Sequence, residues 1–228
     1  MSIILGNFNE VELGQASRLQ SVEKLVEING EQGSFVMDAT EKNLRALEQS
    51  GYDIFIPTDL LSYVNEDSNA KVYFELECYP FYKKIKEVIE NGSKANGVFR
   101  FRRMVREDNL NIMAGDLYVL SLLFGEPKER RIKRSKRDSG TSHIILMIRF
   151  ESGAMAHVEF TIANVERVEM EWSGMKRIVE FDSEELKGQL LPLQYDADDV
   201  LRSAKKVDAV LIDKVEFYRD FIAGGALI

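Results

Sequence analysis

Cysteine is nearly absent from this chain: Cys78 stands alone among 228 residues. A single thiol cannot close an intrachain disulfide, which excludes the stapled frameworks of small secreted domains. Without a histidine nearby in sequence, Cys78 reads as a small buried side chain rather than a nucleophile. Histidine is equally scarce, with His143 and His157 as the whole supply. Neither has a second His, a Cys or paired carboxylates at ligand spacing, so no metal centre is expected. Long apolar runs are missing too, and nothing approaches the roughly 18 residues of a membrane span. The N-terminus, MSIILGNFNEVELG, has no basic region and only a short apolar run. No secretory signal is read there, and a cytoplasmic location is the default expectation. Basic residues are in deficit, 30 against 38 acidic, for a net charge of −8. That balance argues against general affinity for nucleic acid or an anionic membrane.

What is present suffices for a folded core. Hydrophobic residues make up 45% and aromatics 10%, enough apolar surface to offset chain entropy. In the first half, short apolar runs alternate with helical patterns. Strands are read at 2–8, 33–37, 52–56 and 71–76. A short helix is read over 17–28, another after Asp38 with Leu44 and Leu47 stopping near Gly51, and a third from Pro80 to Gly92. Asp38-Ala-Thr-Glu41 reads as a helix cap on Asp38, with Glu41 closing a capping box. Strand–helix alternation implies a parallel sheet with helices on its faces. The second half changes character. Alternating strands over 98–102, 130–137, 144–150, 154–162, 168–172 and 177–181, joined by Gly-containing turns, predict an antiparallel sheet. A helix over 116–124 precedes most of them, and a long helix over 198–223 comes after. The expected fold class is therefore α/β then α+β. A truncated Rossmann-like unit spans 1–92, and an open, mostly antiparallel sheet with helices on one face spans 93–228.

Five segments together resemble the Gfo/Idh/MocA family of sugar oxidoreductases. YPFYKKIKEVIENG with GVFRFRR resembles that family's crossing between domains, and LYVLSLLFGEP (117–127) its helix ending in a Gly-Glu-Pro turn. HIILMIRFESGAMAHVEF (143–160) resembles its hairpin, VEMEWSGMKRIVEFD (168–182) its next strand pair, and VEFYRDFIAGG its closing helix. The resemblance implies an NAD- or NADP-binding first domain in a shortened, degenerate member. In such a domain a glycine-rich turn after the first strand receives the pyrophosphate at a helix N-terminus. No G-x-G-x-x-G occurs here. The nearest candidate is Gly6 in Leu5-Gly6-Asn7-Phe8-Asn9-Glu10, and the best register makes 2–8 the family's second strand with the first one missing. Asp38 stands where a ribose-binding acid would follow a strand, although the cap reading is preferred.

Two further family elements are also lost. At the lysine of the Glu-Lys-Pro motif this chain has Thr58, or in a second alignment Tyr79. Neither supplies a cation. At the acid–base histidine and the aspartate of G-x-H-x-x-D it has Gly115 and Tyr118. The resemblance thus implies a non-catalytic relative, with no cofactor. The alternative is an active NAD- or NADP-dependent oxidoreductase with an atypical site, in which Gly6, Asp38 and Thr58 bind cofactor and Asp116 or Tyr118 moves the proton. Expected partners are a second copy through the open sheet face (Arg100, Arg102, His157, Glu159, Glu169, Glu171), a protein partner, or a full-length paralogue. The run KERRIKRSKR (128–137), seven cations in ten residues, reads as a charged edge strand guarded against aggregation. A grip on phosphate backbones or on an acidic partner is the other reading.

Overall fold

The computed structural model describes residues 1–19, 22–27, 33–106, 109–136, 142–183 and 193–224. In chain order the elements begin with β1 (Ser2–Leu5), β2 (Val11–Glu12), β3 (Ser17–Arg18), α1 (Glu23–Glu27) and β4 (Ser34–Met37). They continue with α2 (Glu41–Leu47), β5 (Asp53–Pro57), a 3-10 turn (Thr58–Tyr63), β6 (Lys71–Tyr73), α3 (Glu75–Cys78) and α4 (Pro80–Glu90). After a second short 3-10 turn come β7 (Gly97–Val105), α5 (Leu110–Phe124), β8 (Pro127–Lys136), β9 (Ser142–Phe150), β10 (Met155–Ile162), β11 (Arg167–Gly174) and β12 (Ile178–Asp182). The chain closes with β13 (Tyr195–Asp196), α6 (Ala197–Ser203), β14 (Lys205–Lys206) and α7 (Ala209–Ala223). Two compact units result. One comprises Met1–Pro80 with Gln194–Val215, the other Phe81–Leu193 with Glu216–Ile228. This division falls at residue 80, where the sequence pattern suggested 92, and it returns 194–215 to the first unit.

The first unit is built on a sheet ordered β14-β6-β5-β1-β4-β3. Its middle strands are continuous apolar runs, Ile3-Ile4-Leu5, Phe35-Val36-Met37 and Ile54-Phe55-Ile56, all buried. Such runs suit strands covered on both faces, and β1 pairs in parallel with both β4 and β5. Gly51, at φ +72°, ends the excursion after α2 in the left-handed region.

Four sequence expectations need correction here. The predicted helix over 17–28 is a two-residue edge strand, β3, followed by the five-residue α1. Ile28, and Arg137 at the end of the predicted strand over 130–137, lie outside the described residues. The predicted strand over 71–76 stops at Tyr73, and α3 comes next. The cap of α2 is Thr40, whose Oγ1 accepts from the Asn43 amide at 3.1 Å; Asp38 contributes only its carbonyl, to Asn43 Nδ2. The long helix over 198–223 is broken. Lys205 and Lys206 pair antiparallel with β6, and α7 restarts where Asp208 Oδ1 accepts from the Leu211 amide. Of its periodic apolar residues, Val200, Val207, Leu211, Val215, Tyr218 and Ile222 are nevertheless buried. Helical periodicity alone does not record a strand inserted between two helices that keep the phase.

In the second unit the sheet order is β12-β11-β7-β10-β9-β8. Its pairs are antiparallel except β7 with β10, which run parallel. Alternation sorts the side chains: Phe99, Phe101, Ala156, Val158, Phe160, Val168, Met170 and Trp172 are buried, while their sequence neighbours form the other face. Helix α5 starts earlier than expected, at an Asn109 cap, and is buried along most of its length. Phe124 at its end lies against Phe99, Phe150 and Trp172. Among the described residues no helix is long and apolar enough to cross a membrane.

Candidate functional site

In an open parallel sheet, ligands bind beyond the carboxyl ends of the strands where strand order reverses. That point here is β1, since the chain goes from β1 to β4 on one side and then to β5 and β6 on the other. Flanked by two parallel neighbours, β1 is the strand at the reversal, the place of a dinucleotide fold's first strand and equally that of its second strand when the first is deleted. The turn after it departs from the glycine-rich pattern. Gly6, Asp38 and Thr58, read separately from the sequence, all lie at this edge, just past β1, β4 and β5.

The turn after β1 folds onto itself. The amides of Glu10 and Val11 donate to the Asn7 carbonyl at 3.0 Å each, and the Asn9 amide donates to Asn7 Oδ1 at 3.0 Å. The Asn7 side-chain amide donates to Glu10 Oε1 at 2.7 Å. The amides of Asn9, Glu10 and Val11 are thus satisfied inside the turn. No helix comes after it. The chain enters β2, which pairs in parallel with β13, and the Tyr195 amide donates to the Glu10 carbonyl. The helix N-terminus on which a pyrophosphate rests is thus replaced by a two-stranded strap.

The space over the end of β1 is also filled. A Cβ placed on Gly6 would lie 2.8 Å from Val11 Cγ2 and 3.0 Å from Tyr73 Oη. The chain's own side chains require a glycine here. Tyr73 Oη donates to the Leu5 carbonyl at 2.9 Å and lies 3.3 Å from Tyr195 Oη. A phenol has one proton, and Tyr73 spends it on Leu5, so Tyr195 is the donor between the two rings. Both rings are fully buried, and burial pushes both hydroxyls well above the ordinary tyrosine pKa. They stay protonated at neutral pH and cannot serve as general bases there.

Both positions at which the resemblance put the lost lysine join this cluster. Thr58 is buried, its Oγ1 donating to the Tyr73 carbonyl at 3.3 Å. Tyr79 is buried edge-on against Tyr195, ring centroids 5.7 Å apart. Cys78, next to it, is buried with Sγ 3.3 Å from Ser203 Oγ. Asp38 alone is exposed at the end of β4. Among the described residues no group of three or more His, Cys, Asp or Glu could hold a metal ion.

The remaining candidates lie on α5 in the second unit. Gly115 and Tyr118 are buried, and Asp116 is an ion-paired core residue: its Oδ1 accepts from Arg103 Nη1 at 2.9 Å, both side chains almost fully buried. That pair makes Asp116 part of the second unit's core. Sequence reasoning missed Tyr73, Tyr195 and Arg103. For Arg103 a signal existed, because Phe99, Phe101, Arg103 and Val105 share the buried face of β7. The two tyrosines are 122 residues apart, and nothing local links them.

The open face of the second sheet is ordered as cross-strand rows. His157, Arg100 and Glu171 form one row, and Glu159, Arg102 and Glu169 the next. All six residues expected at the open face share it. Their charges are paired within the chain: Arg100 Nη1 to Glu171 at 2.7 Å, and Arg102 to Glu159 and to Glu169 at 3.3 Å each. His143 Nδ1 lies 3.0 Å from Thr161 Oγ1 and 3.7 Å from Glu159. Hydrogen bonds from Ser173 and then from Arg100 hold the Glu171 carboxyl below the ordinary range.

No protein-family model matches the sequence, and no curated protein matches it by sequence. Solved structures do match. A probable dehydrogenase from Thermotoga maritima is similar at TM-score 0.57 and 12% identity, over 98% of this chain and 94% of that one. A myo-inositol dehydrogenase from Corynebacterium glutamicum is similar at TM-score 0.52 and 9% identity, over 96% and 85%. At such identities the likeness establishes the fold. It is the fold that the Gfo/Idh/MocA resemblance implies, a Rossmann-like unit joined to a mixed open sheet.

Proposed function

We propose that this chain is a non-catalytic relative of the NAD(P)-dependent sugar and inositol oxidoreductases, acting as a homodimeric binding or regulatory protein. One observation carries the reading: the end of β1, where a dinucleotide's pyrophosphate would rest, is occupied by Val11, Tyr73 and Tyr195 and lacks a following helix. The absence of a lysine at Thr58 or Tyr79, and of a histidine at Gly115, agrees with it. Dimerisation is supported by the open face. There the six residues Arg100, Arg102, His157, Glu159, Glu169 and Glu171 lie beside exposed Val98, Met147, Met155 and Ile178. A self-complementary mixture of apolar and paired charged groups suits a two-fold contact.

The test is a titration of the purified protein with NADH and with NADPH, read by nicotinamide fluorescence, together with molar mass by light scattering. Neither nucleotide should bind at high micromolar concentration, and the mass should be that of a dimer. Tight binding of either nucleotide would overturn the reading and favour an active oxidoreductase with Asp38 at the ribose.

A further inference from the structure

We infer that the edge strand β8 docks an extended acidic segment of a partner protein, which joins the second unit's sheet as an additional strand. Among the described residues β8 pairs with β9 on one side and with no strand on the other. At ten residues, Pro127–Lys136, it is a long edge. A long open edge presents unpaired backbone donors and acceptors, the surface on which strand addition works.

Its side chains say what the added strand carries. Lys128, Arg131, Lys133 and Arg134 have no carboxylate within ion-pair distance among the described residues. By contrast Arg45, Arg100, Arg102, Arg103, Arg149 and Arg167 each have at least one. The one acid in the stretch, Glu129, is taken by Arg149 of the neighbouring strand. In a chain with eight surplus negative charges, a row of unmatched cations is a local reversal of sign. Arg131 and Lys133 are exposed and, in register with Met147 and Ile145, stand on the open face. Arg134 points the other way, in register with buried Ile144; its Nε and Nη2 are shielded from water and, among the described residues, have no hydrogen-bond partner. Shielded guanidinium donors without an acceptor are costly, and a carboxylate would satisfy them. Arg130 on that same side is otherwise engaged, over the rings of Phe217 and Phe221 at 4.4 and 4.9 Å.

Like charge along the strand repels a second copy of the same edge, so edge-to-edge self-pairing is disfavoured. Acidic residues spaced along an added strand would reach Arg131 and Lys133 from one face and Arg134 from the other. The inference goes beyond the proposed function, since it concerns an edge of the second unit and not the filled site of the first.

The probe is a labelled peptide as long as β8 built of Glu-Glu-Thr-Thr repeats, which place carboxylates on both faces of a strand, followed by fluorescence anisotropy at low salt. Two competitors are used: the same peptide with Pro replacing alternate Thr, and single-stranded DNA of equal charge. The peptide should bind, and R131S/K133S should weaken it by about tenfold while circular dichroism stays unchanged. Lys133→Glu alone replaces the double variant if that one unfolds. The Pro peptide, which keeps the charge and loses pairing donors, should bind at least about tenfold more weakly. No binding of the Glu–Thr peptide overturns the proposal, as does equal binding of the Pro peptide. DNA binding as tight as the peptide's, or affinity unchanged by the charge variants, overturns it in favour of a plain polyanion patch or another site.

Discussion

The two sheets treat their polar groups in opposite ways. Beyond β1 in the first unit, the polar atoms of Tyr73, Tyr195 and Thr58 are buried and bonded to one another or to the backbone. On the open face of the second unit, Arg100 and Arg102 keep about half their side-chain surface exposed while pairing with glutamates. A site that binds a charged ligand needs polar groups held ready and empty space before them. At the end of β1 the hydroxyls bond internally and Val11 and Tyr73 crowd Gly6, which supports the non-catalytic reading proposed above. Half-exposed pairs on the open face can be exchanged for a partner's groups at small cost, because each is weakly stabilising in water.

The sharpest way to test this contrast is to compare substitutions by burial. Asp116→Ala strands Arg103 in the core of the second unit and should cost ~3–5 kcal/mol, read by denaturant unfolding. A loss below ~1 kcal/mol would mean that Asp116 is hydrated and available for chemistry after all.

Tyr73→Phe comes next. It leaves the Leu5 carbonyl and the Tyr195 hydroxyl without their partner, at a cost of ~1–3 kcal/mol. The same hydroxyls predict an alkaline signature. Their folded pKa values lie above the unfolded value of roughly 10, so the folded state binds more protons there. Stability is fully present below that pH and falls as pH rises past it toward the folded values. Tyr218 in the second unit, pushed up to about 12 by burial, adds to the same slope. Tyr73→Phe should flatten the alkaline loss as well as lower stability at neutral pH, and an unchanged slope would remove Tyr73 from the account.

Gly6→Ala probes the filled volume directly. The new methyl meets Val11 and Tyr73 and should cost ~1–3 kcal/mol, nearer the lower figure because both neighbours end in side-chain atoms that can shift. A neutral result would show open space at the end of β1, which is the condition for a bound nucleotide.

Sequence patterns disclose the fold unevenly, for physical reasons. Runs such as Ile3-Ile4-Leu5 and the alternation over 154–162 report burial, and burial is what positions a strand, so the longer strands are legible while the two-residue β3 and β14 fall inside predicted helices. The resemblance also correctly places the second unit's hairpins. Strand order is not legible: nothing in 2–8 says that β1 lies at the centre of its sheet. Short-range cap chemistry misleads in one place, since Asp38 and Thr40 are both good caps and only backbone geometry chooses between them. The missing glycines agree with a turn after β1 that leads into a strand and not a helix. They cannot show the plug, because it is assembled from Val11, Tyr73 and Tyr195, far apart in the chain.

The smallest expected effect belongs to the open face. Arg100→Ala removes a pair between a half-exposed guanidinium and Glu171, and should cost less than ~1 kcal/mol, with salt diminishing it further. Its readable consequence lies in titration. The Glu171 carboxyl is held low first by the Ser173 hydroxyl and then by Arg100. A lowered folded pKa gives stability that is present above the unfolded value and lost as pH falls through the folded one. Removing Arg100 should raise the Glu171 pKa only part of the way, and Ser173→Ala should raise it further, both measured by carboxyl NMR. If Arg100→Ala moves it more than Ser173→Ala does, the ion pair is the stronger hold. Its loss to a docking partner would then cost more than the easy exchange assumed for this face.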